Sequence, residues 1–197
     1  KGRVAEVQSL YAHIYREASV TKHAPVVTVP FETKLEVIAQ PEAQNWIQVR
    51  LPDDRSGWTQ LGDVAFDPKP LSMSEMLAFS RRFLGLPYTW GGTSSFGYDC
   101  SGFTQMLERR RGLMLPRDAQ PQAEWSGVVP VKREELQPGD LLYFGSSEKH
   151  ITHTGLYLGG GQFINATTYQ TPMIRIDNLD EPRWTPMDLP FRACGLT

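Results

Sequence analysis

Paired prolines in Asp67-Pro68-Lys69-Pro70 constrain this chain more than any other feature. Proline fixes φ and removes a backbone donor, so the stretch resists both helix and central strand and parts two differently patterned regions. From Val4 to about Phe66 the residues read as short β segments: Val4 to Leu10, Ile14 to Arg16, Val26 to Val29, Lys34 to Ala39, Trp46 to Leu51 and Gly57 to Gln60. Trp46 to Leu51 alternates, and Pro52-Asp53-Asp54-Arg55-Ser56-Gly57 makes a tight connection into Trp58, the pattern of a small barrel hairpin. A chain of 197 residues with 40% hydrophobic content has enough apolar sequence for such a barrel at 1–66, a linker at 67–71 and a larger domain at 72–197.

Beyond the linker, helical signals come first and strand signals follow. Ser72 or Ser74 caps a helix running through Met76, Leu77, Phe79 and Phe83 to Gly85, with Glu75 in its first turn and Arg81-Arg82 in its last. Phe103, Met106 and Leu107 share one face of a second helix that begins near Cys100 and stops at Gly112, with Gln105, Glu108, Arg109 and Arg110 on the other face. Ala119 to Trp125 reads as a short helix ended by Gly127. Then Leu136-Gln137-Pro138-Gly139-Asp140 turns into a strand at Leu141 to Phe144, and Thr154 to Leu158 with Gln162 to Ala166 flank Gly159-Gly160-Gly161 as a hairpin. Helices followed by an antiparallel sheet make this an α+β domain.

Cys100 carries the chemistry. A glycine- and serine-rich loop, Gly91 to Gly97, delivers it to the first turn of a helix, where unpaired N–H groups favour thiolate and let the thiol ionise below its free pKa of about 8.5. The competing reading is a buried structural cysteine. A thiolate needs a proton acceptor that later protonates the leaving amine, and four histidines are available. His13 and His23 fall in the barrel region, and His150 sits in a polar run read as a solvated loop. His153 opens the strand Thr154 to Leu158, which would hold its imidazole firmly. Across the hairpin, a loop of all three glycines sets His153 opposite Thr167 and puts Asn165 on the same face, one diagonal of roughly 7 Å away, as an orienter of the imidazole. A loop of Gly159-Gly160 alone would send Asn165 to the opposite face, where it is a strand-end polar residue and no more.

Five motifs in order then point to a family. Tyr88-x-Trp90-Gly91-Gly92, Asp99-Cys100-Ser101-Gly102-Phe103, Leu115-Pro116-Arg117, Pro138-Gly139-Asp140-Leu141 and His153-x-Gly155-Leu156-Tyr157-Leu158-Gly159 with Gly161-Gln162-Phe163-Ile164 resemble the NlpC-type cell-wall cysteine peptidases. These are papain-like enzymes that cut peptidoglycan stem peptides. The resemblance implies Cys100 as nucleophile, His153 as base and Asn165 as orienter, at a position where many members carry histidine. The oxyanion donors would be the Cys100 backbone N–H and the Tyr88 hydroxyl, with Tyr88 as a packing aromatic the alternative. Asp99 and Ser101 flank the nucleophile and would touch substrate, although Asp99 also suits a helix cap.

The first 66 residues resemble a bacterial SH3-like domain. That fusion is similar to the subgroup hydrolysing the bond between γ-D-glutamyl and an L-diamino acid in free stem peptides with an N-terminal L-alanine. A buried ammonium must meet carboxylates. Asp99 and, from the barrel, Glu17 are the candidates. Arg117 and Asp118 resemble the segment that fixes the D-glutamyl group, the alternative being a local salt bridge at a helix start. Two other functions stay open: a murein hydrolase or amidase whose barrel docks on polymeric wall, and a wall-binding protein weakened by Asn165.

Several classes are disfavoured. With 20 Lys+Arg against 22 Asp+Glu, electrostatics imply no nucleic-acid partner. No apolar run approaches the ~18 residues of a membrane span. His150 and His153 with one distant cysteine lack metal-ligand spacing, and no cofactor is implied. Cys194 is expected to be packing. The chain is expected to be a monomer. Its start, Lys1-Gly2-Arg3, reads as processed or trimmed, which leaves cytoplasmic and exported locations both open.

Overall fold

The computed structural model describes residues 2–40 and 45–184 and the backbone of 191–193; Cys194 lies outside the described residues. Two compact units, Lys1–Lys69 and Pro70–Thr197, divide the chain.

The first unit holds β1 (Arg3–Val7), β2 (Tyr11–Ile14), β3 (Val27–Pro30), β4 (Lys34–Ala39), β5 (Trp46–Arg50), β6 (Ser56–Gln60) and β7 (Val64–Phe66). An antiparallel sheet of order β6-β5-β4-β1-β7 faces a β2-β3 ribbon. Tyr15 and Trp58 exchange both backbone bonds, at 2.8 and 2.7 Å, and so tie the end of β2 to β6. Alternation sets the core: Ile47 and Val49 point inward beside Val7, Ile14 and Leu35, while Gln48 and Arg50 point out. Sequence reading gives no strand at β7. Its three residues, following a 3₁₀ turn at Leu61–Asp63, are too few to show a period.

The second unit begins with α1 (Met73–Ser80). Ser72, not Ser74, is its cap: the Ser72 hydroxyl accepts from Glu75 N–H while the Glu75 carboxylate accepts from Ser72 N–H at 2.8 Å. A short hairpin of β8 (Thr93–Ser94) and β9 (Gly97–Tyr98) leads into α2 (Cys100–Arg110), followed by α3 (Ala119–Ala123). The rings of Phe83, Tyr98 and Phe103 meet mutually with centroids 5.8 to 5.9 Å apart, fastening α2 to the chain before it.

Next come β10 (Val129–Val131), β11 (Leu141–Ser147), β12 (His150–Gly159), β13 (Gln162–Thr167), β14 (Met173–Asn178) and β15 (Phe191–Ala193), in a sheet of order β10-β15-β11-β12-β13-β14. On one face Leu142, Phe144 and Phe163 pack with Leu179 and Trp184. The outer edge of β14 is covered by the chain before the hairpin. Gly85 N–H donates to Ile174 at 2.9 Å, Ile174 N–H to Leu86 at 2.8 Å and Tyr88 N–H to Pro172 at 3.1 Å.

Three expectations need correcting. β12 begins at His150, so His153 is inside a strand rather than at its start, and His150 heads that strand, exposed, rather than lying in a loop. The β12–β13 turn is Gly160-Gly161, both at positive φ (60° and 77°), which matches the strand twist; neither glycine-loop expectation describes it. A bulge between Tyr157 and Gly159 absorbs the difference, so Leu156 still faces Ile164, the pairing the three-glycine loop demands. Strands β10, β14 and β15 are additional to those read from the sequence.

Candidate active site

Asp99 is the N-cap of α2, its Oδ1 accepting from Gly102 N–H at 2.7 Å, and this fixes where the helix starts and where the Cys100 thiol emerges. Glycine is required behind it. A Cβ on Gly102 would lie 2.2 Å from the Gly92 carbonyl oxygen, and one on Gly92 would lie 2.2 Å from that of Gly97. The loop carrying Tyr88 and Trp90 is thereby pressed against the first turn of the helix, and Asp99 N–H donates to Gly92 at 3.1 Å.

The Cys100 sulfur receives backbone N–H groups from Cys100, Ser101 and Thr154. These favour the thiolate, but burial of the side chain and the neighbouring Asp99 carboxylate outweigh them, so the thiol is pushed up from its ordinary value. The expectation of a thiol ionised by its helix end is therefore corrected. The helix field is present; the tertiary surroundings overcome it.

His153 is the residue next to Thr154, whose amide meets the sulfur. Its Nε2 lies 2.9 Å from Asn165 Oδ1, the diagonal pairing anticipated across the hairpin. The imidazole stacks on the Trp184 indole, with ring centroids 5.4 Å apart and planes at 18°, and touches Phe144 at 5.8 Å. Burial among these rings holds its pKa down to about 4, against the Asn165 bond, which raises it. A neutral imidazole takes the proton of a neutral thiol only as the sulfur bonds to something else.

Behind Asn165 stand three residues that sequence reading missed. Asn165 Nδ2 donates to Asp177 Oδ2 at 3.0 Å, and Asp177 is paired with Arg175, Nε to Oδ1 at 2.7 Å, and with Arg183, Nη2 to Oδ2 at 2.5 Å. The signal was available in Met173-Ile174-Arg175-Ile176-Asp177, where charges at 175 and 177 alternate with isoleucines at 174 and 176.

Tyr88, Trp90, Asp99, Cys100, Ser101, Arg117 and Asp118 line one cleft of about 480 Å³. The Tyr88 hydroxyl is pushed up to about 12, by burial first and then by Cys100 and Asp99, so it remains an O–H donor. Arg117 is already engaged: its Nη2 meets Asp99 Oδ2 at 2.6 Å, and its Nη1 donates to Asp99 Oδ1 and to Ser101 Oγ, both at 3.0 Å. The pairing at the α2 start compensates the Asp99 charge. Asp118, N-cap of α3 without a side-chain cap bond, is exposed and is the cleft's carboxylate with no ion pair among the described residues. Trp90 is 88% exposed on the same rim.

Glu17 belongs to the first unit, where it pairs with Lys22 Nζ at 3.1 Å and with His23 Nε2 at 3.3 Å. No group of three or more His, Cys, Asp or Glu side chains among the described residues could hold a metal. Among the described residues no helix is long and apolar enough to cross a membrane.

Comparison with known proteins adds to this geometry. Over 145 residues the chain is 34% identical to the gamma-D-glutamyl-L-lysine dipeptidyl-peptidase of Bacillus cereus (strain ATCC 10987 / NRS 248), covering 70% of this chain and 42% of that protein. It is 46% identical over 86 residues to the Bacillus subtilis (strain 168) protein of the same name, covering 43% of this chain and 28% of the relative. The chain thus spans less than half the length of these relatives. The crystal structure of a NlpC/P60 family protein from Bacillus cereus ATCC 10987 superposes with a TM-score of 0.81 at 28% identity, over 98% of this chain and 63% of that one. Residues 85–192, which hold the cleft, the hairpin and the Asn165–Asp177 pair, match the NlpC/P60 family, and with its papain-like α+β architecture the chain belongs to that family.

Proposed function

We propose that this chain is a cysteine peptidase hydrolysing the γ-D-glutamyl–L-diamino acid bond of peptidoglycan stem peptides, acting on free peptides with an N-terminal L-alanine. The observation that carries the reading is the His153–Asn165 bond of 2.9 Å, next in the chain to the amide that meets the Cys100 sulfur. His153 Nδ1 takes the thiol proton as the sulfur attacks the γ-carbonyl of D-glutamate, and a C–S bond forms. The carbonyl oxygen becomes an oxyanion held by the Cys100 N–H and the Tyr88 O–H. On collapse the C–N bond breaks and the amine departs with the proton from the imidazole. Water, losing a proton to the same imidazole, then cleaves the thioester, which frees L-Ala-γ-D-Glu and restores the thiol.

Substrate groups on the acyl side fall to Asp99, Ser101, Arg117 and Asp118. With Asp99 already forked by Arg117, the substrate ammonium falls to Asp118. The first unit is read as an SH3-like barrel.

Incubation with L-Ala-γ-D-Glu-L-Lys and with intact sacculi tests the proposal. Release of L-Ala-γ-D-Glu from the tripeptide, sparing of sacculi and complete loss with Cys100→Ala are expected. Cleavage of sacculi in preference to the tripeptide would replace the reading with that of a murein hydrolase, and cleavage of neither would leave a binding protein.

A further inference from the structure

We infer that Asp177 is a positioning residue that fixes the tautomer of His153 by dictating which end of the Asn165 amide faces the imidazole; the inference rests on the proposed chemistry. The amide of Asn165 is fully buried, and its two ends differ only in what they bond. An ionised carboxylate accepts and never donates. Asp177, 2% exposed and held by Arg175 and Arg183, is therefore a one-way partner that takes Nδ2–H of Asn165 at 3.0 Å. The Arg175 carbonyl, at 3.4 Å from Nδ2, enforces the same direction. Oδ1 is left for His153, and the only complementary group there is Nε2–H. The bare nitrogen is then Nδ1, the one free to receive a proton.

Register makes this arrangement possible. Asn165 faces Arg175 across the β13–β14 ladder, and Asp177 lies two residues along on the same face. Arg175 holds Oδ1 of the carboxylate, and Arg183 shares Oδ2 with the Asn165 amide. Arg183 is itself clamped, its guanidinium carbon 3.8 Å over the Tyr169 ring and 4.3 Å over the Trp184 ring that stacks on His153. With two cations on one carboxylate the cluster supplies direction rather than negative charge. Its effect is on which nitrogen carries the proton.

The test uses the full chain with ¹⁵N-labelled histidine. In the wild type, NMR should report His153 protonated at Nε2 and bare at Nδ1. Asp177→Asn lets both amides turn over, so the other tautomer should appear, with kcat reduced at least about tenfold and KM within about twofold. The double variant Asn165→Asp with Asp177→Asn moves the one-way acceptor next to His153, and should restore the Nε2–H tautomer and most of kcat. If Asp177→Asn fails to fold, the double variant decides alone: an Nε2–H imidazole supports the inference and a mixed tautomer overturns it. An unchanged tautomer in folded Asp177→Asn overturns it too, as does a double variant no better than the single, since that would mean Asp177 merely holds its arginines. The tautomer is read without substrate, so an enzyme inactive on stem peptides leaves this result standing apart from the proposed function.

Discussion

Cys100 and His153 are both held neutral by what surrounds them, the thiol by burial and Asp99, the imidazole by Phe144, Trp184 and Arg183. For His153 this has a consequence in stability as well as in chemistry. Above pH 6.5 the ring is neutral folded or unfolded, and stability is complete; as the pH falls toward 4 the unfolded chain gains a proton that the folded one refuses. Stability should therefore drop by up to about 3 kcal/mol across that window. Urea melts of wild type and His153→Gln at pH 7 and pH 4.5 measure the difference, and equal pH dependence in the two proteins would refute it. Nothing local in Thr152-His153-Thr154 announces the shift, because burial causes most of it and the Trp184 ring stacked on the imidazole comes from 31 positions further along.

At the scale of elements, the first turn of α2 depends on two glycines being without side chains where strand β9, the Tyr88 loop and the helix converge. Gly102→Ala puts a methyl 2.2 Å from the Gly92 oxygen, backbone that yields only by moving the loop. A stability loss of roughly 2 kcal/mol is expected, with kcat on the tripeptide falling more than the fraction unfolded explains; thermal melts and kinetics on the same sample separate the two. Elements whose signals are local were legible: the Ser72 and Glu75 cap, the apolar face of Phe103, Met106 and Leu107, and the turn entering Leu141. β14 was not, although Ile174 and Ile176 alternate, because its partner is chosen by long-range register and Asp177 meets Asn165 only across the sheet. Asp177 and Arg175 went unread with it. The thiol's pKa was misread for a related reason, since a helix terminus is visible in sequence and the burial that overrides it is not.

At the scale of the whole molecule, each of the two units has its own core, and the residues of the proposed chemistry lie in the second. Asp118→Asn should raise KM about tenfold for a tripeptide with a free N-terminal ammonium and leave an N-acetylated peptide unaffected, since only the former presents the charge. Equal KM values for variant and wild type on the free peptide would remove Asp118 from that role. The order of motifs made the second unit's architecture and the pairing of His153 with Asn165 readable, whereas the engagement of Arg117 by Asp99 and Ser101 emerged only from folded geometry. Strand β14 has one more implication. Its outer edge anchors the backbone at Tyr88, and its inner ladder supports Asn165, so the groups that would steady the oxygen and the imidazole share a single foundation. A slip of Met173–Asn178 by one residue would disable both halves of the machinery together, leaving no half-assembled form.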